Sequence, residues 1–158
     1  TTSERFLLLD SDVLFFKQPQ AMLAWIDADD NPHSLFNADM EDPSPLSNHE
    51  ATRKLHVQLL PKINSGIALI LRDQIDLPFC EMALQDTSLG SAPDWRIEQT
   101  LLALCCCRQN RAALLPPTYE VSLSPKAMET CIARHYVGAV RQLFYAEGIQ
   151  RLKTELLR

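Results

Sequence analysis

The sequence lacks any uninterrupted apolar run approaching the ~18 residues of a membrane-spanning helix, so no transmembrane segment is expected. Its opening residues lack the basic, apolar and small-residue succession of a secretory signal. It has no excess of positive charge: 15 Lys and Arg stand against 20 Asp and Glu, for a net charge of −5. That balance argues against a nucleic-acid partner, and leaves a phosphate-bearing ligand open because a metal can supply the positive charge. There is no Cys-x-x-Cys pair. The five cysteines (Cys80, Cys105, Cys106, Cys107 and Cys131) are odd in number and three are consecutive, so neither a zinc site nor a disulfide framework is expected. They read as small apolar residues of a helix in a reducing compartment, and the expected location is cytoplasmic. Internal repeats and low-complexity tracts are absent too.

What is present suits one domain with a sizeable core over 158 residues. Its leading feature is Arg5-Phe6-Leu7-Leu8-Leu9-Asp10-Ser11-Asp12-Val13-Leu14-Phe15-Phe16. Apolar residues run into Asp-Ser-Asp and four more follow. The run reads as a strand buried on both faces, of the kind found in mostly parallel sheets covered by helices. Asp10 and Asp12 then stand at the carboxyl end of that strand, where open α/β sheets bind their ligands. Turn chemistry explains one aspartate well and two between apolar runs poorly. Two carboxylates this close repel unless a cation, a proton or a hydrogen-bond network intervenes, and no Lys or Arg is adjacent. Mg²⁺ or Mn²⁺ holding phosphate oxygens is the usual task of such a pair.

Further along, Pro19 to Ala28 reads as a helix with Pro at its start, closed by the acidic stretch Asp27, Asp29, Asp30, Asn31 and Pro32. That stretch marks a solvated helix end rather than a second metal site. Ser34 to Ala38 is a short strand, Asp39 to Asn48 a loop, and Glu50 to Leu60 a short helix. His33, His49 and His56 have no regular spacing and read as surface or capping residues. Ile63 to Leu71 is a second buried strand, entered through Asn64-Ser65-Gly66; Gly66 allows close backbone approach and Asn64 both donates and accepts. Leu77 to Leu84 and a segment beginning at Asp94 are helices, the latter with Ile97, Leu101, Leu104 and Cys105 on its apolar side. Ser88 to Pro93 is a loop. Glu98 and Gln99 lie in the first turns of the second helix, where a cleft and solvent are equally open to them. Leu114 to Pro117 breaks the helix. Tyr119 to Leu123 and Thr130 to Tyr136 are strands, and Val140 to Leu157 is a closing amphipathic helix interrupted by Gly148. Since the chain begins almost directly with the strand that bears the aspartates, it is expected to be the C-terminal part of a longer protein.

In chain order stand Asp10-Ser11-Asp12, Asn64-Ser65-Gly66, Glu98-Gln99 and His135-Tyr136-Val137-Gly138-Ala139-Val140-Arg141. The series resembles the nucleotide-sugar glycosyltransferases of the GT-A fold, and among them glycosyltransferase family 8, the group of glycogenin and the bacterial lipopolysaccharide galactosyltransferases. That resemblance implies an α/β fold with a mixed, mostly parallel sheet flanked by helices, in a single domain spanning 1–158. It implies that the family's N-terminal βαβ part, which binds the nucleotide base, has no counterpart here. A homo-oligomer would then cover sheet left exposed. It implies Asp10, Asp12 and His135 as ligands of Mn²⁺ or Mg²⁺. Asn64, Ser65 and Gly66 would line the sugar pocket, Glu98 and Gln99 would contact donor sugar or acceptor in the catalytic site, and Gly138 and Arg141 would hold the diphosphate. The implied activity is hexosyl transfer from a nucleoside-diphosphate sugar, with UDP the first candidate, to a saccharide or other hydroxyl acceptor; retention follows from a family 8 placement. The chain departs from the family pattern at Glu98, where Asp is usual, at Arg141, where Lys is usual, and at Gln142-Leu143, where Pro-Trp is usual.

Those roles are physically coherent. Two carboxylates and an imidazole leave coordination positions for phosphate oxygens, and Arg141 offers a fork of donors. Two other readings stand beside this one. A haloacid-dehalogenase-type phosphatase would use Asp10 as nucleophile and Asp12 as general acid. A non-catalytic module would bind a sugar nucleotide or a partner without turnover.

Overall fold

The computed structural model describes residues 4–28, 30, 33–42, 44–91 and 93–157, the side chains of Glu155 and Leu156 excepted. Along the chain come β1 (Arg5–Leu9), β2 (Val13–Phe15), α1 (Gln20–Asp27), β3 (Ser34–Ala38), α2 (Asn48–Leu55), β4 (Ile63–Leu71), α3 (Leu77–Asp86), α4 (Ile97–Cys107), β5 (Ala112–Leu114), β6 (Tyr119–Val121), β7 (Ala133–His135) and α5 (Gln150–Leu156). A π-helical turn, Phe144–Ile149, leads into α5. Asp29, Asn31 and Pro32 of the acidic helix end, Pro43 and Ala92 of the two loops, and the Leu156 side chain of the closing helix fall outside the described residues.

The strands form two sheets, in the orders β1-β4-β3-β5 and β2-β7-β6. β1 and β3 both run antiparallel to β4, and β5 runs parallel to β3. In the smaller sheet β2 is antiparallel and β6 parallel to β7. The architecture is therefore mixed α/β, with antiparallel pairing in the majority. The expected mostly parallel sheet is corrected: β1 and β3 both flank β4 in the antiparallel sense, and an apolar run does not encode strand direction.

β4 is the strand buried on both faces. Ile67, Leu69 and Leu71 point to one side, where Met22 and Trp25 of α1 pack with Tyr119 and Ala133 of the small sheet. Ala68 and Ile70 point to the other, among Phe79 and Ala83 of α3 and Ala103 to Cys107 of α4. The period of two thus divides the core into two layers with β4 between them. Each large aliphatic side chain so buried contributes roughly 1.5–3 kcal/mol.

β1 is the corresponding correction. It forms the sheet edge, and Phe6, Leu7, Leu8 and Leu9 are all exposed. Only β4 flanks it, and Arg5 ties it to the end of α1 by donating to the Trp25, Ile26 and Ala28 carbonyls. The single long strand expected over Arg5 to Phe16 is two strands in two sheets, joined by a turn at Ser11 and Asp12.

The remaining differences are local. β5 lies where only a helix break is expected; three residues are too few to show periodicity. α2 stops at Leu55, with His56 at its C-cap in the left-handed conformation (φ 55°). α4 turns Gln99, Thr100, Ala103, Leu104 and its three cysteines into the core, and leaves Ile97 and Leu101 half-buried. Small side chains let it approach the sheet closely. Burial pushes the Cys106 thiol up to about 12, which fits a packing role. The closing helix becomes a 3-10 turn (Gly138–Val140), the π-helical turn and α5. A side chain at Gly148 would meet Leu14 and the Tyr136 hydroxyl, so glycine lets the π-helical turn lie close against both. Glu147 beside it accepts from Tyr136 Oη at 2.7 Å and from Arg134 Nη1 at 3.2 Å, which ties the turn to the strand bearing His135.

Candidate functional site

The Asp10-Ser11-Asp12 turn carries the chain from the large sheet to the small one, and the site forms at that crossing. The Asp10 N–H donates to the Gly66 carbonyl at 2.9 Å, extending the β1–β4 ladder by one bond. Val13 pairs with His135, and the Tyr136 N–H donates to the Asp12 carbonyl at 2.9 Å. Main-chain bonds thus place Asp10 at the end of β1 and Asp12 at the start of β2. His135 sits at the end of β7, with all three side chains facing one point. Their ligand atoms lie within 4.8 Å of one another. Among the described residues this is the one such group of His, Cys, Asp and Glu side chains.

His135 Nε2 lies 3.2 Å from Asp10 Oδ2 and 3.1 Å from Asp12 Oδ1. Adjacent ligands of an octahedral Mg²⁺ at about 2.1 Å stand about 3.0 Å apart, so the spacing fits a shared cation. The hydrogen bonds behind the ring point the same way. The Gly66 N–H donates to Asn64 Oδ1 at 2.9 Å, and Asn64 Nδ2 donates to Asp39 Oδ2 at 2.8 Å. Asn64 Oδ1 is therefore an acceptor, and His135 Nδ1, 3.0 Å from it, must carry the hydrogen. The other ring nitrogen then turns toward two carboxylates. Three acceptors converge, and a cation or a proton must stand between them. The residues present fit a divalent ion.

The glycine of the Asn-Ser-Gly entry has a steric reason. A Cβ on Gly66 would land on the His135 imidazole, so the ring lies directly against the β4 backbone. Here the β3–β4 register also breaks: Phe36 pairs with Ala68, but Asn37 pairs with Asn64. Residues 65–67 thereby leave the β3–β4 ladder, a common effect of a bulge; Ser65 and Gly66 line the site, while Ile67 stays in the core, paired with Leu9.

The expected Glu98 and Gln99 pair divides. Gln99 is buried and accepts from the Ser65 N–H at 2.9 Å and from Ser65 Oγ at 3.3 Å through its Oε1. Its Nε2 has no protein partner among the described residues. Glu98 is exposed and likewise unpaired there. On the other side, Arg141 Nε donates to Asp12 Oδ2 at 2.8 Å. Gly138 holds φ +48°, with open space where a side chain would stand; its backbone conformation, rather than crowding, calls for glycine.

Two cavities meet at the cluster. One, of about 490 Å³, is lined by Asn64, Ser65, Glu98, Gln99, Trp95 and Asp39 among others. The second, of about 460 Å³, is lined by Asp10, Ser11, Asp12, Arg141, Phe144 and Tyr145. Asp10 and Arg141 belong to both. All ten residues singled out from the sequence line one or the other. Asp39, Trp95 and Tyr145 were not singled out. Asp39 directly follows β3 as Asp10 follows β1, and that parallel is the signal that would have found it. No helix among the described residues is long and apolar enough to cross a membrane.

No protein-family model and no curated protein matches the chain. Among solved structures it is similar to a glycosyltransferase involved in the glycosylation of the major capsid of PBCV-1. The likeness covers 98% of this chain and 67% of that one, at 17% identity and a TM-score of 0.49.

Proposed function

We propose that this chain carries the metal and donor site of a glycosyltransferase that uses a nucleoside-diphosphate sugar, UDP-linked in the first instance. The observation behind it is the convergence of Asp10, Asp12 and His135 at the seam of two cavities. Asp10, Asp12 and His135 would hold Mn²⁺ or Mg²⁺, which when bound offsets charge on the departing diphosphate. Arg141, shared by both cavities, is placed to grip phosphate oxygens once it leaves Asp12. The wall with Asn64, Ser65 and Gln99 offers amides and a hydroxyl to sugar hydroxyls. The wall with Phe144 and Tyr145 offers rings to a base. Asn64 orients the imidazole and Gly66 makes room for it. Positioning and charge compensation are the whole of the chain's task, and no side chain need form a covalent bond. The phosphatase reading is less well served, because no lysine lines either cavity to neutralise the phosphate.

Calorimetry of UDP binding with and without Mn²⁺ tests the proposal, with GDP and inorganic phosphate as controls. The expected result is binding of UDP only with Mn²⁺, weakened by more than about a hundredfold in Asp12→Ala and His135→Ala. Nucleotide binding that ignores both Mn²⁺ and Asp12 would overturn it.

A further inference from the structure

The lining of the larger cavity includes an indole. Trp95 is 85% exposed, on the turn that enters α4. A single exposed apolar residue is ordinary, but this one sits on a braced turn. Asp94 accepts from Arg96 Nε at 2.9 Å, from Arg96 Nη2 at 2.6 Å and from the Arg96 N–H at 2.8 Å. The guanidinium so fixed lies 5.8 Å from the Trp95 ring centroid. The Asp94 carboxyl is held down to about 2 by these bonds, so the brace persists at any working pH.

The groups around the indole select the ligand. Glu98, three residues on, presents an unpaired carboxylate, and Gln99 presents unpaired amide hydrogens. Asp39, on the same cavity, is fixed by Asn64. Asp39 and Glu98 both line this cavity, and carboxylates accept hydroxyl hydrogens where they would repel a diphosphate. An aromatic face beside them suits the C–H face of a sugar ring, which is apolar while its rim is hydroxylated. A neutral polyhydroxyl ligand satisfies both.

We propose that Trp95 is the stacking platform for a hexopyranose ring of a saccharide acceptor, with Glu98 accepting hydrogen bonds from that ring's hydroxyls. This rests on the glycosyl-transfer reading above, and it selects a saccharide over other hydroxyl acceptors.

The chain has two tryptophans, and Trp25 is 2% exposed in the core, so a ligand-induced change in tryptophan emission reports on Trp95. The experiment titrates a panel of gluco-, galacto- and mannopyranosides, including lactose and maltotriose, into the full chain saturated with UDP and Mn²⁺. Emission and calorimetry are read together. At least one saccharide should give a saturable emission change. Its affinity should fall at least about tenfold in Trp95→Ala, by less in Trp95→Phe, and severalfold in Glu98→Gln, with UDP affinity unchanged in the two Trp95 variants. Normal UDP binding with no saccharide response from the panel would overturn this inference and leave the donor site standing. So would an emission change produced by UDP alone, which would assign the indole to the base. Failure of UDP to bind with Mn²⁺ would overturn both readings.

Discussion

β1 and β4 are adjacent strands of similar composition with opposite surroundings. Phe6 to Leu9 and Ile67 to Ile70 are both apolar runs, paired residue for residue. Leu69 is 0% exposed, while Leu7, its partner in the ladder, is 48% exposed. The sequence difference is slight, and the difference in environment is set by rank in the sheet. β4 has a strand on each side and a packed layer over each face, while β1 has one strand and leaves Phe6 to Leu9 exposed. Both nonetheless deliver a site residue at the same end: Asp10 follows β1, and its N–H donates to the carbonyl of Gly66 in β4.

Leu69→Ala should show the contrast at full size. It opens a cavity between two packed layers and should cost about 2–5 kcal/mol in denaturant unfolding. Leu8→Ala, one position from Leu7 on the edge strand, should cost well under that, within about 1 kcal/mol. Equal losses at the two positions would mean that something covers β1. A smaller loss in stability, but a larger one in function, is expected at Gly66→Ala. The new methyl displaces His135, so Mn²⁺-dependent UDP binding should fall by more than about tenfold, while far-UV circular dichroism stays native. Retained binding would show that the imidazole is not needed where the structure places it. The smallest effect should come from Leu7→Lys. A charge suits an exposed edge, and stability should change by no more than about 0.5 kcal/mol, with a gain in solubility. A large loss there would again reveal a cover on β1.

The site was more legible than the sheet around it. Aspartates two residues apart after a strand, a glycine in a strand entry and a histidine at a strand end are local signals, and the structure brings Asp10, Asp12, His135, Asn64 and Gly66 into one hydrogen-bonded group. The existence of the longer strands was legible as well, because apolar runs mark it. Strand rank was not: nothing in Phe-Leu-Leu-Leu says edge, and nothing in three residues of Ala-Ala-Leu says strand. The closing segment was read as one amphipathic helix. The contacts that bend it into a π-helical turn lie with Leu14 and Tyr136, on other strands. Trp95 escaped notice because it reads as part of a helix beginning at Asp94, whereas α4 begins at Ile97; only its cavity and its brace make it visible.

The hydrogen bond from Arg141 to Asp12 spans 129 residues of chain, and that between His135 and Asn64 spans 71. Closing loops of that size is among the slower steps available to a small domain. During synthesis Asp12 precedes His135 by 123 residues, so Asp10 and Asp12 wait, as an acidic turn, for β7 to emerge. The cluster therefore cannot gather its three side chains around one point until almost the whole of this chain has been made and folded. No chain ending before His135 can assemble the cluster.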